Sequence, residues 1–353
     1  MTMKIGMIGC GNISPVYLTY LGQSEVARIT AVADLLPEKA RERAEQFAIE
    51  NVYTVEELLG RQDIDLVLNL TVPSSHAAVN MAALAQGKHV YVEKPLAISL
   101  EDAGSMLELA AAKNLRVGCA PDTFLGAGIE TSRKAIADGL IGRPVAATAF
   151  MMSGGPESWH PNPEFFYAEG GGPMFDMGPY YLTAFVELLG PIARISGSAG
   201  NLVPERTVKT GPNAGKTIPV HTPTHYSATL DFAGGAIGTL VTSFDVPGGS
   251  VLPRIEIYGT EGTLLVPDPN HFNGDVKVSR SGSDVWETVP PVFECGENER
   301  GRGIEDMARA ILEGREHRAS GKLGYHVLEA MHAVARSSRE GRHILLESAD
   351  SLK

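Results

Sequence analysis

Cysteine is scarce in this chain. Its three thiols in 353 residues, Cys10, Cys119 and Cys295, are far apart and odd in number. That argues against a disulfide-stapled scaffold and fits reduced thiols in a cytoplasm. Positive charge is also short: 30 Lys and Arg stand against 42 Asp and Glu, a net charge of −12. Phosphate backbones and anionic membranes need a basic face, so neither a nucleic acid nor a membrane is expected as partner. No apolar run approaches the ~18 residues of a membrane-spanning helix. Met1-Thr2-Met3-Lys4-Ile5-Gly6 passes from one lysine straight into an apolar strand, so no secretory signal is expected. Asn12-Ile13-Ser14 accordingly reads as a turn and not as a glycosylation site. Internal repeats and low-complexity tails are missing too. What is present is an ordinary globular composition, 43% apolar and 20% charged, over a length that favours two domains.

Apolar periodicity alternates between strand and helix through the first 120 residues. Strands are predicted over 4–8, 28–33, 51–53, 66–70, 90–92 and 115–118, and helices over 37–47, 77–86 and 99–113. Such alternation indicates a doubly wound parallel α/β sheet, closing near residue 120. Composition then shifts. A helix within 122–138, a strand over 144–151 and a loop rich in Gly, Pro and aromatics over 153–172 come next. A helix follows from the glycines at 170–172 to about Gly190. Strand patterns recur near 192–200, 224–232, 236–244, 254–258, 262–266, 276–280 and 285–289, mostly joined by glycine turns. This meander predicts a large open, mainly antiparallel sheet. Two late helices, near 303–313 and 325–338, complete an α+β domain over 121–353.

In parallel sheets ligands bind beyond the carboxyl ends of the strands, and several of those ends carry chemistry here. Gly9-Cys10-Gly11-Asn12-Ile13-Ser14 is a GxGxx loop with serine where a third glycine often sits. Gly9 permits the tight turn, and Gly11 lets the backbone, with Asn12 and Ile13, approach a pyrophosphate. Asp34 ends the second strand 23 residues after Gly11, where a carboxylate accepts hydrogen bonds from ribose hydroxyls. NAD is expected over NADP, because a 2′-phosphate would meet Asp34 at about 4 kcal/mol per unit of like charge, at roughly 4 Å and an effective dielectric near 20. Leu35 and Leu36 offer no arginine to offset that. Thr71-Val72-Pro73-Ser74-Ser75-His76 ends the fourth strand, and Glu93-Lys94-Pro95 the fifth, where proline holds Lys94 extended. Asp122 and Thr123 follow the sixth strand as candidates to touch nicotinamide or substrate.

Thr210 to Thr217 has three residues between its glycines where a P-loop needs four, and no apolar helix follows. His221 and His225 are flanked by Pro219 and Pro223, so no helix pairs them on a metal; extended, they lie roughly 13 Å apart. No metal is expected. His225 reads either as a pocket residue or as an ordinary surface or core histidine. Trp159-His160 reads equally as a sugar-stacking platform and as a loop staple. His326 and His332 fall on different sides of a helix and read as structural.

Five features, in this order, resemble the glucose–fructose oxidoreductase/inositol dehydrogenase (Gfo/Idh/MocA) family. They are the GxGxx loop, Asp34, the Thr71-to-His76 turn, Glu93-Lys94-Pro95, and Gly170-Gly171-Gly172-x-x-x-Asp176-x-Gly178. The likeness spans nearly the whole chain and is diffuse after about residue 190. It implies a Rossmann domain followed by an open antiparallel sheet through which a homodimer or homotetramer forms. It also implies NAD(P)-dependent oxidation or reduction at a hydroxyl or carbonyl carbon of sugars, cyclitols and related polyols. Lys94 is similar to the family's catalytic lysine and Asp176 to its active-site aspartate. Many members have histidine four residues later; Tyr180 here is similar to glucose–fructose oxidoreductase and dihydrodiol dehydrogenases. The implied division of labour makes Lys94 the electrostatic anchor, Tyr180 the acid/base, and Asp176, on the first turn of its helix, the orienter. Thr71, Val72, Pro73, His76, Glu93 and Lys94 fall at cofactor positions and Tyr181 at a substrate position. A cis Lys94–Pro95 bond is expected. Two other functions fit the same fold: a dinucleotide-sensing regulator, which needs none of Lys94, Asp176 and Tyr180, and an NAD-dependent glycosidase.

Overall fold

The structure is a computed structural model and describes residues 2–352. It holds two compact units, one built from the chain up to residue 125 with 298–328, the other from 126–297 with the chain from 329 on.

In the first unit β1 (Met3–Ile8), α1 (Ser14–Leu21), β2 (Ala27–Ala33), α2 (Pro37–Phe47), β3 (Asn51–Val52) and α3 (Val55–Gly60) follow one another. Then come β4 (Leu66–Asn69), α4 (Pro73–Ala85), β5 (His89–Val92), α5 (Leu100–Ala112) and β6 (Val117–Cys119). The strands pair in parallel in the order β3-β2-β1-β4-β5-β6, the doubly wound sheet that the alternation indicated. Leu66 to Leu68 and Val90 to Val92 have no exposed surface, as expected of strands covered on both faces. Full burial of a large aliphatic side chain is worth roughly 1.5–3 kcal/mol, so β4 and β5 are the rigid centre that carries Asn69 and Glu93-Lys94 at its edge. Local chemistry sets the helix starts. Thr54 accepts the Glu57 N–H at 3.2 Å while the Glu57 carboxylate accepts the Thr54 N–H at 2.9 Å. That capping box begins α3, a helix the periodicity did not reveal. α4 begins at Pro73 and not at Ala77, because a first-turn proline lacks only an N–H that has no intrahelical partner.

The second unit contains α6 (Ala127–Ala137), β7 (Pro144–Met152), α7 (Gly172–Asp176), α8 (Gly178–Leu189), β8 (Ile192–Gly200) and the short pair β9 (Glu205–Thr207) and β10 (Thr217–Pro219). After these come β11 (His225–Phe232), β12 (Ile237–Ser243), β13 (Ile255–Gly259), β14 (Gly262–Val266), β15 (Val276–Arg280) and β16 (Glu287–Val289). α9 (Arg302–Glu313) belongs to the first unit, α10 (Gly321–Glu340) starts there and ends in the second, and β17 (Ile344–Leu345) completes the sheet. Nine strands run in the order β16-β15-β14-β13-β7-β12-β11-β8-β17. The pairing is antiparallel except between β7 and β12. β11 alternates cleanly, with His225, Ser227 and Thr229 exposed and Tyr226, Ala228 and Leu230 buried, the period of a sheet with one solvated face. Ten of the twelve residues of α8 are buried, which makes it a core helix and not an amphipathic one. The single helix expected from the glycines to Gly190 is in fact two, interrupted at Met177.

A boundary near residue 120 assigned residues 121–353 to the second domain; the structure returns 121–125 and 298–328 to the first. Cys119 donates its N–H to the Ala319 carbonyl at 3.0 Å, Gly118 bridges Ser320 in antiparallel fashion, and His317 Nε2 lies 3.1 Å from the Val117 carbonyl. β6 is an edge strand, and the returning chain satisfies backbone groups that an edge would leave open. Partners 200 residues apart leave no mark on a local pattern. Among the described residues no helix is long and apolar enough to cross a membrane.

Candidate functional site

The carboxyl edge of the first sheet begins with the turn after β1. Gly9 has φ +100°, and a Cβ there would stand 2.6 Å from the Leu70 carbonyl group, so only glycine fits. At Gly11 a Cβ would meet nothing within 4 Å; the backbone there is open to a ligand. Ser14, the departure from glycine, is buried. Its hydroxyl donates to the Gly11 carbonyl at 2.8 Å and accepts from Arg43 Nε at 3.3 Å. Asp34 is held from two sides, Oδ2 accepting the Cys10 N–H at 2.7 Å and Oδ1 the Leu36 N–H at 2.9 Å. Each oxygen keeps a further lone pair. Leu35 is 87% and Val72 61% exposed, leaving apolar surface on neighbouring loops of this edge; Asn12 is exposed and Ile13 half-buried.

The next two turns are tied together from within. Asn69 Oδ1 accepts the Thr71 N–H at 3.1 Å and the Thr71 hydroxyl at 2.7 Å, while its Nδ2 donates to Asn80 at 2.8 Å. His76, expected to contact the cofactor, has no exposed surface. Its ring nitrogens lie 2.7 Å from the Pro95 carbonyl and 3.0 Å from the Thr71 carbonyl, so it joins the β4–α4 turn to the proline turn. Burial pushes its pKa below the ordinary 6.5, and the two carbonyls pull the other way. Glu93 is likewise internal. It accepts from the Tyr17 hydroxyl at 2.7 Å and from the Lys94 N–H at 2.9 Å, and it fixes the backbone that presents Lys94. The Lys94–Pro95 bond is cis, as expected.

Asp122 and Thr123, at the end of the sixth strand, are buried as well. Asp122 is 1% and Thr123 2% exposed. Asp122 Oδ2 accepts the N–H groups of Gly301 and Gly303, both at 2.9 Å, so it organises the start of α9. Its Oδ1 has no partner among the described residues. Burial raises its pKa, and those two N–H groups oppose the shift.

In the second unit Asp176 ends α7, and Tyr180 lies in the first turn of α8; Asp176 is therefore not on the first turn of its helix. Gly172, with φ +80°, would place a Cβ 2.6 Å from the Pro223 carbonyl oxygen, which explains the glycine at the entry to α7. Asp176 lines a cavity of about 250 Å³ together with Tyr181, Trp159, Arg254, Asp268 and Asn270, over a floor that includes Met151 and Phe244. Tyr180 is 6% exposed and lies outside that lining. Trp159 is 64% exposed and meets His160 edge-on at 5.5 Å and Phe166 at 6.0 Å. Trp159 is thus at the cavity, while His160 packs in the aromatic cluster, its Nδ1 accepting the Asn162 N–H at 3.1 Å. His225 is exposed on β11, 3.0 Å from the Ser243 hydroxyl, and takes no part in the cavity. Among the described residues no cluster of His, Cys, Asp or Glu could hold a metal ion.

Residues 3–120 match the oxidoreductase family with an NAD-binding Rossmann fold, and residues 129–265 match the GFO/IDH/MocA C-terminal domain. The chain belongs to the Gfo/Idh/MocA family. The 1,5-anhydro-D-fructose reductase of Ensifer adhaerens is 41% identical over 114 residues, 31% of this chain and 34% of that protein. The myo-inositol 2-dehydrogenase of Thermotoga maritima is 25% identical over 98% of this chain and 99% of its own length. Levoglucosan dehydrogenase, solved in complex with NADH and L-sorbose, has a TM-score of 0.83 at 21% identity, covering 99% of this chain and 100% of that one. The matched Rossmann domain is NAD-binding, and the cofactor is NAD. The open backbone at Gly11 and the carboxylate of Asp34, held with lone pairs to spare, fit it.

Motifs did not reveal Asn69, Tyr17, Arg254, Asp268 or Asn270. A polar residue closing the apolar run of β4 was a readable signal for Asn69. Arg254 and Asp268 had none, because they come from loops beside separate strands.

Proposed function

We propose that this chain is an NAD-dependent dehydrogenase that oxidises a hydroxyl carbon, or reduces the matching carbonyl, of a small sugar, cyclitol or related polyol. The observation that carries this reading is the Asp176-lined cavity. Its volume of about 250 Å³ falls just below the roughly 300–1,000 Å³ of typical ligand pockets and suits a small ligand. Gly9, Gly11 and Asp34 would hold the pyrophosphate and ribose, with Asn12, Ile13, Leu35, Thr71, Val72 and Pro73 around them. The bound nicotinamide supplies a hydride acceptor or donor at its C4. The chain must then orient the carbinol and move one proton. Lys94 donates a hydrogen bond to the reacting oxygen and stabilises negative charge on it. Tyr180 exchanges that oxygen's proton, and Asp176 accepts from a hydroxyl and fixes the orientation. A sensor needs none of these three residues together, which favours the enzyme. We further propose a cytoplasmic protein, a reading its three free thiols support, that forms a homodimer or homotetramer through the nine-stranded sheet.

The test is a panel of hexoses, pentoses, inositols and anhydrosugars incubated with NAD or NADP while NADH or NADPH absorbance is followed. At least one polyol should be oxidised, with a higher kcat/KM for NAD than for NADP. A protein that binds NAD and reduces it with no polyol in either direction would be the sensor.

A further inference from the structure

The cavity holds a second polar group beside Asp176. Arg254 precedes β13, Asp268 and Asn270 follow β14, and all three line the cavity wall. Arg254 Nε lies 3.2 Å from Asp268 Oδ2, while Asp268 Oδ1 accepts the Asn270 N–H at 3.0 Å. Both carboxylate oxygens are therefore fixed, and the pair is still partly open, with side chains 47% and 25% exposed. Tyr181, with no exposed surface, lines the same cavity, its hydroxyl directed toward the Arg254 guanidinium. None of these groups is used by the proton and hydride chemistry.

We propose that Arg254, Asp268 and the Tyr181 hydroxyl form a specificity-determining subsite that binds two adjacent hydroxyls of a neutral polyol, away from its reacting carbon, and rejects sugar acids. The inference rests on the polyol dehydrogenase reading and adds to it which polyols are taken. Its chemistry is that of vicinal diols. A fixed carboxylate accepts from both O–H groups, a guanidinium donates to their oxygens, and the tyrosine closes the remaining lone pair or proton. The charge count decides between neutral and acidic ligands. The cavity carries two carboxylates, Asp176 and Asp268, against one guanidinium. A ligand carboxylate drawn to Arg254 has to compete with Asp268 for it while standing beside like charge, and partial burial limits the screening.

Glucose and glucuronate differ only in oxidation at C6 and serve as probes. Each is measured with the wild-type enzyme and NAD, as substrate or, if not oxidised, as competitor against the best polyol of the panel. Glucose should exceed glucuronate in kcat/KM, or in inhibition constant, by at least about tenfold, one decade per 1.4 kcal/mol. Asp268→Asn should close most of that gap, raising KM for the neutral polyol far more than it lowers kcat, with the dissociation constant for NADH unchanged. Equal or better use of glucuronate by the wild type, or a ratio untouched by Asp268→Asn, overturns the proposal. The wild-type ratio alone decides if the variant fails to fold. If no polyol is oxidised at all, the dehydrogenase reading falls and the subsite falls with it.

Discussion

Tyr180 is where the chemistry can be probed with a single oxygen atom. Tyr180→Phe keeps the ring that packs in α8 and removes only the group assigned to proton exchange. The turnover number should fall by roughly 10²–10⁴, while the NADH dissociation constant, measured by fluorescence, stays nearly the same. A rate close to wild type would send the proton by another route. Residues were legible in the sequence wherever backbone geometry demanded a type. Gly9 and Gly172 carry positive φ against a neighbouring carbonyl, and Asp34 ends its strand at the spacing a ribose needs. Side-chain direction was not legible. His76, Glu93 and Asp122 all follow strands at the ligand edge, yet each turns inward onto the chain's own backbone or onto a buried tyrosine. Position along a strand says which end of the sheet a residue occupies; it does not say which way the residue faces.

Elements were legible to the extent that their signals are local. α2 was read from its opening proline and its Glu/Arg surface, and it ends where expected. The box at Thr54 and Glu57 is an equally local signal. The strand exchange that seats β7 between β12 and β13 was beyond reach, since pairing partners lie about a hundred residues apart. α9 shows what such distance conceals. Its start is organised by Asp122, which accepts two N–H groups at once. Asp122→Ala leaves both buried donors orphaned and should cost about 2–4 kcal/mol in urea denaturation. Asp122→Asn keeps an acceptor for them and should be far milder. The pH dependence has a definite sign. The folded carboxyl titrates above its usual 3.8 because of burial, so the native state binds the proton more readily than the unfolded chain. Its ionisation penalty is complete above the folded pKa and relieved as pH falls toward 3.8. Wild type should therefore gain stability relative to Asp122→Asn on acidification through that window. A difference curve that is flat or of opposite slope would remove Asp122 as the titrating group.

At the scale of the whole molecule, the two architectures followed from the change in periodicity near residue 120, and the family resemblance followed from motifs spread over the first half. The return of residues 298–328 to the first unit did not follow, because nothing local in α9 distinguishes a helix that covers one sheet from a helix that covers another. The account's central claim is hydride transfer between a carbinol carbon and the cofactor. It is tested most directly with the wild-type enzyme, NAD and the panel's best polyol deuterated at the carbon that is oxidised. The NADH formed, recovered and weighed by mass spectrometry, should carry one deuterium per molecule. NADH without deuterium, or release of a reducing sugar with no NADH formed, would contradict the claim.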